Sequence, residues 1–294
     1  MLASGKDARA ILAAAREGHW GIGAFNCGDY LTVEAVISAA ESLGVPVMIQ
    51  TFDAVNPKDP ESSMMSESEF KNFNRFLLNR AADSPVPVII HLDHCTTYEG
   101  CIRGIQHGCA SVMLDASQKP YDENVALVKK VVEAAHACGV NVEGEIGHVG
   151  GHPNSNGVIY TEVADAVNYA KDTEADYIAV SIGTVHGFYA QAPVLNYDRI
   201  AEIREAVDKP LVMHGASGLS ADQYKDAIKA GISKVNFATY IQLAGGAAMM
   251  EEFEKIKAEN GKARFGGLTK AGLNGARDYL KMHMDIFGTQ KVNL

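Results

Sequence analysis

The sequence predicts an α/β protein whose strands close into a (β/α)8 barrel with extra C-terminal helices, and three observations carry that prediction. Apolar, β-branched runs alternate with helical patterns along the whole chain, as parallel β/α architecture requires. There are eight such runs in 294 residues. Histidines, carboxylates and amides gather at or just past the ends of the runs, where a closed parallel barrel collects its chemistry. A doubly wound sheet is the competing architecture. It would usually carry a glycine-rich nucleotide fingerprint after its first strand, and none follows GIGAF at 21–25.

In chain order, the amphipathic stretch MLASGKDARAILAAAREG precedes the first strand, GIGAF. The next strands are VPVMIQ at 45–50, VPVIIHL at 86–92, ASVML at 110–114 and VNVEGE at 140–145. DYIAVSI at 176–182, PLVMH at 210–214 and KVNFA at 234–238 complete the eight. Helical stretches lie between them, among them LTVEAVISAAESLG, ESEFKNFNRFLLNRAA, ENVALVKKVVEAAHACG and ADQYKDAIKAG, several ending in the glycine that helix C-termini favour. Segments 51–66 and 147–162 are longer than the repeat needs; both follow strands on the active face and are candidate lids. After the eighth strand, AGGAAMMEEFEKIKAENG and AGLNGARDYLKMHMDIFG read as two further helices. No linker or low-complexity tract divides the chain, so 1–294 reads as one barrel domain.

Composition narrows the function. A net charge of −10, with no compensating basic run, argues against wrapping nucleic acid or adhering to an anionic membrane. No apolar segment reaches membrane-spanning length, and the charged N-terminus lacks the apolar core of a signal peptide. The five cysteines form no C-x-x-C pair and fit a reducing compartment, so the expectation is a cytoplasmic protein acting on small molecules.

Three histidines end three apolar runs: His94 in VIIHLDHC, His186 in IAVSIGTVHGFY and His214 in PLVMHGASG. Three imidazoles with one position open is the pattern of a catalytic zinc. In HLDH, strand alternation sends His91 and Asp93 to one side and His94 to the other, so the strand must bend or end for Asp93 and His94 to share a site. An aspartate beside a metal-held substrate can move the proton of an oxygen generated when a carbon–carbon bond breaks. Asp115 and Glu145 are candidates either for outer carboxylates behind imidazole ligands or for a second cation position. Cys95 adjoins His94, but three imidazoles already supply the ligands. HGASGLS at 214–220, just ahead of a helix, offers backbone N–H groups and a serine hydroxyl to a phosphate, and KVNFAT adds Asn236 and Thr239 on the next strand.

GAFN, HLDH, SVMLDAS with ENVALVK, VEGEIGHVGG, GTVHGFY, PLVMHGASG, KVNFAT and KMHMDIFG run in this order over essentially the whole chain. Together they resemble the class II, zinc-dependent fructose-bisphosphate and tagatose-bisphosphate aldolases. The resemblance implies a TIM barrel, usually a homodimer or higher oligomer, acting on a phosphosugar. It implies that His94, His186 and His214 bind Zn²⁺ and that Asp93 is the acid/base at the C4 oxygen. Gly187, Gly215, Ser217 and Thr239 would hold the phosphate of the dihydroxyacetone phosphate half. Asn236 would bond the ketose near C2–C3, and Asn26 would line the site.

Two departures stand out. Where the family reads Gly-Gly-x-Glu-Asp after the fifth strand, with the glutamate moving the C3 proton, this chain has Gly150-Gly151-His152-Pro153-Asn154. His152 is the candidate replacement base, with Glu145 or Asp93 in double duty, or loss of rapid turnover, as alternatives. Phe52 stands where many members carry a substrate-binding serine, which suggests a less polar distal end, as in a ketose with one phosphate. Arg264, in KARFGG, matches a family arginine near the second phosphate. A non-catalytic phosphosugar-binding subunit is the main competing reading. A zinc hydrolase is weakened by H-x-x-H spacing after the third strand and by Asn236 where a hydrolase would want an aspartate.

Overall fold

Ser4 starts the first helix, α1 (Gly5–Gly18): its hydroxyl accepts from the Asp7 N–H while the Asp7 carboxylate accepts from the Ser4 N–H, a reciprocal capping box. The computed structural model describes residues 1–53, 67–147, 149, 160–187, 189 and 193–294. Eight parallel strands follow α1: β1 (Ile22–Asn26), β2 (Val47–Thr51), β3 (Val88–Cys95), β4 (Ser111–Leu114), β5 (Asn141–Ile146), β6 (Tyr177–Val180), β7 (Leu211–Met213) and β8 (Ile232–Phe237). They pair in sequence order, and β8 returns to β1 in the register Ala24↔Asn236, closing the barrel. Outside it lie α2 (Tyr30–Leu43), α3 (Glu67–Asp83), α4 (Tyr98–Gln106), α5 (Tyr121–Ala137), α6 (Val163–Thr173), α7 (Tyr197–Ala206) and α8 (Ala221–Ala230). The fold is the (β/α)8 barrel the strand count predicts. The last two helices, α9 (Thr239–Ala258) and α10 (Phe265–Ile286), pack on each other, and α10 also packs on α2. No helix among the described residues is long and apolar enough to cross a membrane.

Alternation along the strands builds two different interiors. Outward residues such as Phe25, Ile49, Ile90, Val112, Val142 and Val235 join the helices in one large apolar core. Inward residues change character with height. Toward the start of the strands, Ile22, Ala24, Met48, Ile89, Tyr177 and Val212 pack with Ile11 and Leu12 of α1 and with Trp20, so that α1 seals the floor. One or two inward positions higher, the residues are Gln50, His91, Asp93, Ser111, Glu143, His214, Lys234 and Asn236, all buried. The polar layer therefore rests on an apolar one.

Elements differ from expectation mainly at their ends. β3 continues to Cys95, past the apolar run, because its pairing with β4 resumes beyond a register shift between Leu92 and Cys95. The helices α9 and α10 begin several residues earlier than their apolar patterns; α9 starts directly where β8 stops, with Ala238 as its N-cap.

Candidate active site

The bend demanded by HLDH is present. His94 has φ +44°, the left-handed region that a β-branched or bulky residue rarely enters, and it lies inside the register shift of β3. That one residue turns the His94 ring to the side that Asp93 already faces. A left-handed non-glycine costs on the order of 1–3 kcal/mol. Here the conformation is held by the bond of the His94 Nδ1 to Asp115 Oδ2 at 2.9 Å.

Asp93 is buried and ringed by amides from three strands. Asn26 of β1 donates to Oδ2 at 2.8 Å, Gln50 of β2 to Oδ1 at 2.9 Å and Asn236 of β8 to Oδ1 at 3.3 Å. Three donors on one carboxylate fix its orientation and leave it an acceptor. Gln50 was not singled out from the sequence. Its signal is a polar residue at an inward position near the end of an otherwise apolar strand.

His94, His186 and His214 converge, each offering a ring nitrogen within 4.8 Å of the others. Ring centroids are 5.0 Å apart for His94–His186, 4.6 Å for His94–His214 and 6.0 Å for His186–His214. His94 Nε2 and His214 Nδ1 face each other at 2.8 Å. Behind His94 stands Asp115, itself bonded by the Ser117 N–H and hydroxyl. Behind His214 stands Glu143, whose Oε1 is 2.8 Å from Nε2. Imidazoles that ligate metals usually back onto such carboxylates, so the donor set suits a divalent cation. Glu145, with its Oε1 bonded to the Val149 N–H, forms a second convergent group with His94 and Asp115. Cys95 turns its sulfur away, to the Thr97 carbonyl.

The electrostatics follow from burial and these partners. Burial would lower the His94 pKa, but Asp93, Asp115 and Glu145 outweigh it and push it up to about 9. Burial also opposes ionisation of Asp115, yet its bonds to His94 and Ser117 hold it well below the usual carboxylate range. Glu145 is raised to about 8 by burial and by Asp115. His214 is held well below its ordinary value by burial and by the neighbouring His94.

Above the histidines lies a cavity of about 160 Å³ lined by Asn26, Phe52, Asp93, His94, His186, Gly187, Gly215, Ser217, Asn236 and Thr239, among others. Ten of the residues singled out from the sequence thus share one space. Gly215 has φ +64°, and a Cβ there would sit 2.6 Å from the Val185 carbonyl oxygen, so only glycine lets the loops after β6 and β7 touch. The Tyr189 hydroxyl ties the same loops, donating to Gly215 O at 2.6 Å and accepting from the Val185 N–H at 3.1 Å. Ser217 Oγ accepts from the Ala238 N–H, which joins the β7 loop to the start of α9.

Other expected residues lie elsewhere. Asp115 and Glu145 stand beside the histidines rather than on the cavity wall. Arg264 is exposed, at the N-cap of α10, and does not line the cavity. The reason is the direction of α9: it leaves the cavity at Thr239 and runs for 20 residues, about 30 Å, before the chain reaches Arg264. His152 and its neighbours 150–154 lie outside the described residues, as does most of both candidate lids.

A barrel with this donor set at the C-terminal ends of its strands is the architecture of a metal-assisted enzyme. The chain matches the family model described as fructose-bisphosphate aldolase class-II over residues 6–291, and it belongs to that family of class II aldolases. Among solved structures it is similar to the YdjI aldolase of Escherichia coli K12, with 31% identity, 98% of each chain covered and a TM-score of 0.83. It also shares the fold of the fructose-bisphosphate aldolase Fba of Campylobacter jejuni, with 23% identity, coverage of 99% of this chain and 97% of that one, and a TM-score of 0.82.

Proposed function

We propose that this aldolase is zinc-dependent and cleaves a ketose 1-phosphate or ketose 1,6-bisphosphate to dihydroxyacetone phosphate and an aldehyde. The observation that carries the reading is the convergence of three imidazoles on one point beside an amide-fixed aspartate, at the inner end of a cavity lined by glycines and small hydroxyls. His94, His186 and His214 would hold the zinc, with Asp115 and Glu145 as outer carboxylates that also mark where a second divalent or monovalent cation would sit. When bound, the ion supplies Lewis acidity that draws electron density from the C2 carbonyl.

This chain's own residues do the rest. Asp93 takes the proton from the C4 hydroxyl as the C3–C4 bond breaks and returns it in the aldol direction; Asn26, Gln50 and Asn236 keep it pointed at that oxygen. Gly187, Gly215, Ser217 and Thr239 hold the phosphate through backbone N–H and hydroxyl donors, and Asn236 bonds the ketose near C2–C3. His152, from the loop that replaces the family's Gly-Gly-x-Glu-Asp, is assigned the C3 proton. Phe52 is 39% exposed on the cavity wall and offers a ring face in place of a hydroxyl. It supports a ketose with a single phosphate over a bisphosphate. The exposed apolar side chains of Leu243, Met250, Phe253 and Phe265 on α9 and α10 support a homodimer or higher oligomer.

Asp93→Ala tests the reading. Zinc and phosphate binding should persist while cleavage falls about 10²–10⁴-fold. Hydrogen–deuterium exchange at C3 of dihydroxyacetone phosphate should occur with zinc-loaded protein and stop after chelation. No exchange in zinc-loaded protein that binds phosphate would favour a phosphosugar-binding role instead.

A further inference from the structure

Beneath the histidines, the polar layer contains an ion pair that the mechanism above does not use. Lys234 of β8 and Glu143 of β5 meet across the barrel interior, with Nζ 2.7 Å from Oε2, and both side chains are fully buried. The other carboxylate oxygen, Oε1, faces His214 Nε2 at 2.8 Å. His91 lies on the same side, with Nε2 3.7 Å from Glu143 Oε2 and Nδ1 2.5 Å from the Ser111 hydroxyl. Removing two charges from water is costly, and well-packed apolar residues of similar volume are often as stabilising or more so. Fold stability alone therefore does not account for the pair.

We propose that Lys234 and Glu143 are positioning residues that fix the tautomer and orientation of His214. The inference rests on reading His94, His186 and His214 as the metal ligands. Lysine Nζ only donates, so it commits the Glu143 carboxylate to acting as an acceptor. An acceptor at 2.8 Å requires the proton of the neutral His214 ring to be on Nε2. The lone pair is then on Nδ1, which faces His94 Nε2 at 2.8 Å and the Asn236 amide nitrogen at 3.2 Å. Without the carboxylate, either tautomer is open to His214, and one of them turns an N–H toward the metal position. Lys234 acts through Glu143: its charge offsets that of the carboxylate and its bond holds Oε1 in line with the ring. His94 is set the opposite way, with Nδ1 toward Asp115 and Nε2 toward the shared point.

The test begins with unaltered, zinc-loaded protein carrying ¹⁵N-histidine. Long-range ¹H–¹⁵N correlation should show His214 protonated on Nε2 and coordinated through Nδ1, with His94 reversed. Coordination of His214 through Nε2 would overturn the proposal. A protein that binds no zinc would overturn the ligand reading and this proposal with it. Two double variants then separate positioning from folding. Glu143→Leu with Lys234→Met removes the acceptor and the cation together; zinc Kd, read by chelator competition, should weaken about 10–100-fold without a lower Tm. Glu143→Gln with Lys234→Met keeps a carbonyl able to accept from Nε2 and should restore most of the affinity. Wild-type affinity in the leucine variant would refute the positioning role. Should that variant fail to fold, the glutamine variant and the spectrum of the unaltered protein still decide.

Discussion

Without a metal, hydrogen bonding at the histidines calls for a proton where the cation would go. Glu143 takes the Nε2–H of His214, so Nδ1 of that ring accepts; the atom facing it at 2.8 Å, His94 Nε2, must then donate. The other nitrogen of His94 faces the Asp115 carboxylate at 2.9 Å and must donate too. A ring donating from both nitrogens is an imidazolium, in agreement with a His94 pKa pushed up to about 9. A divalent cation has to expel that proton. At pH 7, about 2 units below that pKa, removing the proton at about 1.4 kcal/mol per unit costs about 2.8 kcal/mol, or about 100-fold in apparent affinity. Zinc affinity should therefore rise about tenfold per pH unit, close to 100-fold from pH 6.5 to 8.5, and level off above about 9. Calorimetry in buffers of different ionisation enthalpy should record about one proton released per zinc at pH 7. An affinity independent of pH over this range, with no proton delivered to the buffer, would refute the argument.

Two other perturbations follow from the same geometry. In metal-free protein, His94 rises from 6.5 to about 9 and Glu145 from 4.5 to about 8, so both hold protons more tightly folded than unfolded. Their contribution is fully present below the unfolded values and is lost as the pH climbs through 8 and 9; the Tm of chelator-treated protein should decline from about pH 6 to pH 9, and a flat or rising profile would contradict it. Gly215→Ala should cost at least about 1–2 kcal/mol for the left-handed residue, and more for pressing a Cβ to 2.6 Å from backbone that cannot swing aside. Because that backbone belongs to Val185, next to His186, zinc affinity should drop as well; unchanged denaturant midpoint and zinc Kd would show that the loops yield freely.

Much of this was legible in the sequence, and what was not depends on long-range register. Runs such as VPVIIHL and PLVMH carry their own strand evidence, and eight of them in this length leave few architectures to choose from. His94, His186 and His214 could be grouped because each ends such a run. The polar layer was only half visible. In VEGE, HLDH and KVN the alternation places Glu143, His91 and Lys234 on the same side as their recognised neighbours Glu145, Asp93 and Asn236. That Lys234 meets Glu143, however, depends on β5 and β8 standing across the interior from each other, which requires the closed register of all eight strands. Arg264 stands away from the cavity for the complementary reason: a local match says nothing about the direction in which a 20-residue helix carries the chain.

The seal that α1 makes with Ile11, Leu12 and Trp20 gives the barrel the topology of a blind cup. Among the described residues the floor is packed, so substrate, product and displaced water meet the site from the strand-end side, and a molecule resting at the rim is a plug for whatever lies deeper. Among the described residues the packed floor offers no drain, and exchange with solvent is governed at the mouth.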